Sequence, residues 1–173
     1  MNAALPEEIF SFCPRCGQHT FAPRRPGLLV CSSCALHFHV NAAAAVAAVI
    51  FNRHGQLLLL ERLHEPARGL LDLPGGFVDH METAEEALRR EVMEETGLTL
   101  ARVAFLCSFP NRYDYRGIRY HTLDLFFTCT PQEGSVPHPA DETAAVTWRA
   151  LDTLRPAELA FESVRRVITF LNA

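Results

Sequence analysis

Lysine is absent. All 16 basic residues are arginine, which excludes Schiff-base chemistry, a lysine nucleophile and a Walker-type phosphate-binding lysine. Charge of one sign is also lacking. Twenty acidic residues against those 16 leave a net −4, without the basic excess of a nucleic-acid coat. The longest strongly apolar run, residues 42–51, is ten residues, about half a membrane span. The start, MNAALPEEIF, has no basic segment leading into an apolar one, so no secretory signal is read there and the expected location is the cytoplasm. No internal repeat of fixed period runs through the chain beyond two cysteine pairs.

What is present is ordinary globular composition, 49% apolar and 21% charged over 173 residues. That length suits one domain with a small appendage. Four of the six cysteines form two Cys-x-x-Cys pairs, Cys13 with Cys16 and Cys31 with Cys34, 14 residues apart. Two such knuckles supply the four soft ligands of a tetrahedral zinc. A redox pair needs only one motif. With four thiolates no coordination position stays open, so the zinc is expected to be structural, standing in for a core that residues 1–40 are too short to build. Four thiolates around one divalent cation add about −2, bringing the holo-protein nearer −6. His37 and His39 follow closely and are alternative ligands, or simply one side of a strand. Cys107 and Cys129 lie in apolar stretches and read as small buried hydrophobes.

From residue 41 the pattern alternates between strands and helices. Ala43–Phe51 and Gln56–Glu61 read as strands of one hairpin around Asn52-Arg53-His54-Gly55. Leu70–Phe77 carries a Pro-Gly-Gly break. Thr83–Thr96 is the clearest helix, with a Thr83/Glu86 capping box, Gly97 at its end and a core stripe of Ala84, Leu88 and Val92. Strands are expected near Leu100–Ser108, Arg119–Cys129 and Ala144–Trp148, and a closing amphipathic helix at Glu158–Leu171. The sum is an α/β domain over residues 41–173, a sheet covered by helices.

Seven of the twenty acids fall between Asp79 and Glu95. A charge run is usually a solvated face, but Glu91, Glu94 and Glu95 are spaced to leave one side of the helix together. Such crowding is unfavourable unless a cation lies among the carboxylates, and an all-oxygen set selects magnesium or manganese. Arg90 offsets only part of the charge. The preceding Gly75 and Gly76 allow a tight turn and close backbone approach to a ligand. Together these features suit a pyrophosphate whose oxygens need neutralising while water attacks in line.

At these residues the chain resembles the Nudix hydrolases. The family pattern is matched at Gly76, Glu82, Arg90, Glu91, Val92, Glu94, Glu95, Gly97 and Leu98, nine positions over 23 residues. The resemblance implies the Nudix fold, a mixed β-sheet sandwiched between helices, preceded by the ribbon of residues 1–40. It implies Glu91 and Glu95 as principal magnesium ligands, Glu94 as a further one and the Gly75 carbonyl as another. Glu82 and Arg90 resemble the family's structural pair. The general base is either Glu91 or an acid from a distant loop. Glu142, or its neighbour Asp141, is similar to a late acid that completes the metal shell.

A zinc ribbon ahead of such a domain resembles the NADH pyrophosphatases, some of which remove nicotinamide caps from RNA. Two departures separate this chain from them. They carry a further domain before the ribbon, whereas 12 residues precede Cys13 here. They also carry a Ser-Gln-Pro-Trp-Pro-Phe-Pro motif, of which residues 107–117 keep only Ser108 and Pro110. That stretch instead alternates Tyr113 and Tyr115 with Arg112, Arg116 and Arg119, residue types that stack on a base and bind phosphate, or else an exposed polar hairpin. Arg62 and Arg68 are further phosphate candidates. The expected substrate is a small nucleoside diphosphate linked to another group, of the NADH, NAD, ADP-ribose or dinucleoside polyphosphate type. An 8-oxo-nucleotide sanitiser differs from this only in substrate. The rival class is a non-catalytic binder or regulator using the ribbon, but no box glutamate is lost. With only Arg15, Arg24 and Arg25 basic in the ribbon, nucleic acid is a disfavoured partner. A homodimer is implied by the resemblance alone.

Overall fold

A computed structural model describes residues 3–140 and 143–173. The chain packs as two units. One is the N-terminal segment to Ala42 together with Arg112–His121; the other is Ala43–Asn111 with Thr122–Ala173.

The N-terminal unit opens with a single helical turn, α1 (Pro6–Ile9), followed by β1 (Phe21–Arg25), β2 (Leu28–Cys31) and β3 (His37–His39). The strands form an antiparallel sheet with β2 in the middle. Its core is small: Phe21, Leu29, Cys13 and Cys31. A cluster of that size cannot hold a fold alone. His37 and His39 lie exposed on β3. The unit also includes the end of a long hairpin, where the Ala4 amide donates to the Gly117 carbonyl and Arg119 donates back to Ala4.

The larger unit contains β4 (Ala43–Ile50), β5 (Leu57–Arg62), β6 (Leu71–Asp72), β7 (Gly75–Phe77), α2 (Ala84–Thr96), most of β8 (Leu100–Tyr115) and β9 (Ile118–Pro131), β10 (Thr143–Arg149) and α3 (Glu162–Leu171). Four strands run in the order β7-β4-β9-β8 and three in the order β10-β5-β6. Strand β4 is parallel to β9 and antiparallel to β7, which makes the sheet mixed. The apolar runs are continuous because both faces are covered. Val46, Ala48 and Ile50 of β4, Leu58 of β5 and Phe127 of β9 pack with Leu88 and Val92 of α2. Their sequence neighbours Val49, Leu57, Leu59 and Phe126 pack with Val164, Val167 and Ile168 of α3. Period-two alternation thus feeds two helical layers, giving the sandwich expected of the fold.

Three expectations need correction. β4 and β5 do turn at Asn52–Gln56, where Asn52 accepts both the His54 and Gln56 amides through its side chain. They share only the Phe51–Leu57 bridge, however, and then part into different sheets. Both edges of β4 are taken by β7 and β9, so β5 pairs instead with β10 and β6. The strands read as Leu100–Ser108 and Arg119–Cys129 are longer, running into a two-residue turn at Arg116–Gly117 flanked by the Asp114–Arg119 ion pair. The closing helix starts at Glu162, after a separate 3-10 turn at Pro156–Glu158.

Candidate functional site

Two places concentrate metal-binding chemistry. In the N-terminal unit the sulfurs of Cys13, Cys16, Cys31 and Cys34 all lie within 4.8 Å of one another. Cys13 Sγ is 3.6 Å from Cys34 Sγ, and Cys16 Sγ is 3.7 Å from Cys31 Sγ. Disulfides would bring sulfurs to about 2.0 Å. A tetrahedron with Zn–S near 2.3 Å has edges of about 3.8 Å, so the donor set fits a zinc ion. Thr20 Oγ1 lies 3.3 Å from Cys31 Sγ and holds that thiol down, to about 6.

The second place is the start of β7 and the side of α2 that faces it. Helix α2 is capped as its sequence predicts: the Glu86 amide donates to Thr83 Oγ1, and Glu86 accepts from the Thr83 amide at 2.8 Å. Ala87, Leu88, Val92 and Thr96 are buried, which turns Glu91 and Glu95 toward β7. Gly75 and Gly76 make this approach feasible. A Cβ on Gly75 would collide with the Val46 carbonyl of β4, and one on Gly76 would lie 2.5 Å from the Glu91 carboxyl group. The Gly75 amide donates to Glu95 Oε2 at 2.8 Å. This amide thus engages one of the box glutamates directly.

Arg90 organises the remaining acids. It donates to both oxygens of Glu82, at 3.0 and 2.9 Å, to Glu91 at 2.7 Å, to Glu94 at 3.2 Å and to the Phe77 carbonyl. One guanidinium therefore bridges three carboxylates and offsets one of their three charges, the partial compensation expected. Arg90 holds the Glu82 carboxyl below its usual range. Glu95 lies outside this network. Burial pushes its carboxyl up to about 8, and burial also raises Glu91. A half-buried carboxylate held by one amide, facing a second raised carboxyl, is a donor set that suits a hard divalent cation. Among the described residues only the four cysteines bring three or more such ligand atoms within 4.8 Å; Glu91, Glu94 and Glu95 do not converge that tightly.

A small cleft opens beside Glu95, lined in part by Arg62, His64, Asp72, Leu73 and Thr143. Arg62 thus lines the same cleft as Glu95. It is bonded to Asp72, a residue to which the sequence reading gave no role although it leads directly into Leu73-Pro74-Gly75-Gly76. Its signal was an acid within an otherwise apolar run. Arg112, Tyr113 and Tyr115 are placed in the other unit, with the Tyr113 and Tyr115 rings 6.1 Å apart and Arg116 over Tyr115. Asp141 and Glu142 lie outside the described residues. Among the described residues no helix is long and apolar enough to cross a membrane.

Comparison with known proteins agrees with this geometry. The NAD-capped RNA hydrolase NudC of Pseudomonas aeruginosa is 27% identical over 161 residues, covering 91% of this chain and 54% of that protein. The chain thus spans about half the length of the curated relatives it matches. Among solved structures, a MutT NUDIX hydrolase from Burkholderia pseudomallei is 28% identical with a TM-score of 0.65, covering 75% of this chain and 97% of the other. The NUDIX domain of Shewanella oneidensis NrtR, complexed with ADP ribose, is 26% identical with a TM-score of 0.62, covering 76% and 87%. The family described as NUDIX domain matches residues 41–170, the stretch that holds the whole box, the α2 carboxylates and both helical layers, and the chain belongs to it.

Proposed function

We propose that this protein is a magnesium- or manganese-dependent hydrolase that cleaves the diphosphate of a nucleoside diphosphate linked to another group. The observation that carries the reading is the pairing of Gly75 and Glu95. A backbone amide holds a half-buried carboxylate beside Glu91, on a helix whose other acids are gathered by Arg90. Similarity to a NAD-capped RNA hydrolase and to a NUDIX domain complexed with ADP ribose supports the substrate class. Retention of every box glutamate favours an enzyme over a non-catalytic binder.

In this reading Glu91, Glu94 and Glu95 hold the cation, with the Gly75 carbonyl as an added ligand and Glu142 or Asp141 closing the shell. The bound cation supplies neutralisation of the diphosphate oxygens and lowers the pKa of water. The protein's own groups do the positioning. Arg90 and Glu82 set the helix carboxylates. The bare backbone of Gly75 and Gly76 admits a phosphate closely, and Arg62 faces it across the cleft. Glu91 takes the proton from the attacking water, or the late acid does. Tyr113, Tyr115 and Arg112 carry ring faces and a guanidinium of the kind that binds a base or a phosphate. Residues 1–40 fold around a structural zinc held by Cys13, Cys16, Cys31 and Cys34, ahead of the catalytic domain of residues 41–173, and the protein works as a homodimer.

The test is a panel of NADH, NAD, ADP-ribose, dinucleoside polyphosphates and NAD-capped RNA, with magnesium or manganese, in oxygen-18 water. Turnover is expected for at least one, with the label in one phosphate product. No turnover on any of them overturns the reading.

A further inference from the structure

Arg62 is held on three sides. Its Nη1 donates to Asp72 Oδ2 at 3.0 Å, its Nε donates to the Pro66 carbonyl at 2.8 Å, and its Cζ lies 4.9 Å from the centre of the Phe161 ring. The holders are themselves fixed. Asp72 Oδ1 accepts the Leu73 amide at 2.9 Å. The segment leading to Phe161 pairs alongside β6, where the Ala160 amide donates to the Leu71 carbonyl. Side-chain exposure is 22% for Arg62 and 16% for Asp72, so bulk solvent screens this arrangement weakly.

The grip is one-pronged. Arginine–carboxylate pairs are frequently two-pronged, as Arg119 with Asp114 is in this protein. Here the second oxygen of Asp72 is given to the backbone, and Arg62 Nη2 makes no hydrogen bond among the described residues. The residue lines the same cleft as Glu95. Asp72 is costly in such a place, because a carboxylate beside the cleft repels an anionic ligand. Its presence is accounted for if orientation of the fork outweighs that repulsion.

We propose that Asp72 and Phe161 are positioning residues for Arg62, clamping its guanidinium so that its open edge takes a phosphoryl oxygen of a diphosphate lodged beside Glu95. The proposal rests on the diphosphatase reading for its ligand. It concerns residues outside the family box.

Methylene diphosphonate, a diphosphate that cannot be hydrolysed, is titrated by calorimetry with magnesium into the full chain and into Arg62→Ala, Asp72→Ala, Asp72→Asn and Phe161→Leu. KM and kcat are measured in parallel on the substrate the panel identifies. Loss of one charge-assisted bond corresponds to about tenfold in affinity. Asp72→Ala and Phe161→Leu are therefore expected to weaken diphosphonate binding about tenfold and to raise KM with little change in kcat. Asp72→Asn keeps an acceptor for Nη1 and is expected to stay near the wild type. If Asp72→Ala and Asp72→Asn both bind more tightly, Asp72 acts only through its charge and the proposal fails. It fails equally if Phe161→Leu leaves binding unchanged, which also decides the matter should Asp72→Ala not fold. A wild type that binds diphosphonate in the expected pattern yet turns over nothing overturns the hydrolase reading and leaves the clamp standing.

Discussion

Arg90 grips Glu82 with two prongs, Nε to Oε1 at 3.0 Å and Nη2 to Oε2 at 2.9 Å, across eight residues of chain. The same guanidinium gives its remaining donors to Glu91, Glu94 and the Phe77 carbonyl, so the turn before α2 and the carboxylate-bearing side of the helix share one cation. A lysine ammonium has no planar fork to match this arrangement. Arg90→Lys is expected to lower kcat/KM by about 100-fold, the scale seen when partners that orient metal ligands are lost. Steady-state kinetics at saturating magnesium, with circular dichroism to confirm an intact helix, checks this.

Glu95→Gln separates chemistry from folding. The amide side chain keeps an oxygen for the Gly75 N–H but loses the charge that a cation needs. Turnover is expected to fall about 1,000-fold or more, while the melting temperature of the metal-free protein stays level or rises. A variant that retains most of its activity removes Glu95 from the metal shell.

Glu95 also sets a pH dependence. Burial raises its carboxyl from 4.5 to about 8 in the metal-free fold. The folded protein therefore keeps a proton that the unfolded chain has released. The stabilising contribution is full below about 4.5 and is lost as pH rises toward 8. At about 1.4 kcal/mol per unit, discounted for partial exposure, the loss is about 2 kcal/mol, or roughly 5 °C in melting temperature. Scanning calorimetry in chelator from pH 5 to 8 is expected to show this fall, and Glu95→Gln to flatten it. Magnesium at pH 8 takes the proton's place, so it is expected to restore stability and to release protons on binding.

How far the sequence carried depends on which interactions are local. The α2 helix was legible to the residue because its cap, stripe and terminating glycine all lie within 15 positions. The Cys-x-x-Cys knuckles were legible for the same reason. The partner choice of β5 was not, since the turn at Asn52 is present and looks like any hairpin; only the occupancy of both β4 edges sends β5 elsewhere. The setting of Arg62 was hidden for a related reason. Its holders, Asp72 and Phe161, are 10 and 99 residues away, and no local spacing ties either of them to Arg62.

Gly97 carries two demands at once. It ends α2 in the left-handed region at φ 68°, and its bare Cα faces the His138 ring, which a Cβ would strike. The His138 amide donates to the Thr96 carbonyl and the Ala140 amide to that of Glu95, so the loop after β9 is tied to the last turn of α2. Gly97→Ala is expected to destabilise by about 2 kcal/mol, from the left-handed backbone and the collision together. In a His138→Ala background the collision is gone, and the cost of the same change is expected to fall to about 1 kcal/mol. Chemical denaturation of the four proteins of this cycle measures the difference.

Thr20 is expected to tune the cysteine cluster without being a ligand. Its hydroxyl lies 3.3 Å from Cys31 Sγ and 2.9 Å from Ser33 Oγ, and it holds the Cys31 thiol down to about 6. Zinc binds thiolates, so a thiol already ionised near neutral pH loses no affinity to competing protons. Thr20→Val removes the donor at nearly constant volume and returns Cys31 toward 9. Apparent zinc affinity, measured by competition with a chromophoric chelator, is expected to drop about tenfold at pH 6.5 and to converge with the wild type as pH approaches 9. Cys31→Ser is expected to lose zinc at every pH. Equal affinities for Thr20→Val and wild type across this range show that the hydroxyl does not control the thiol. The convergence at high pH is the decisive part, because a variant weakened only by local misfolding binds poorly at pH 9 as well.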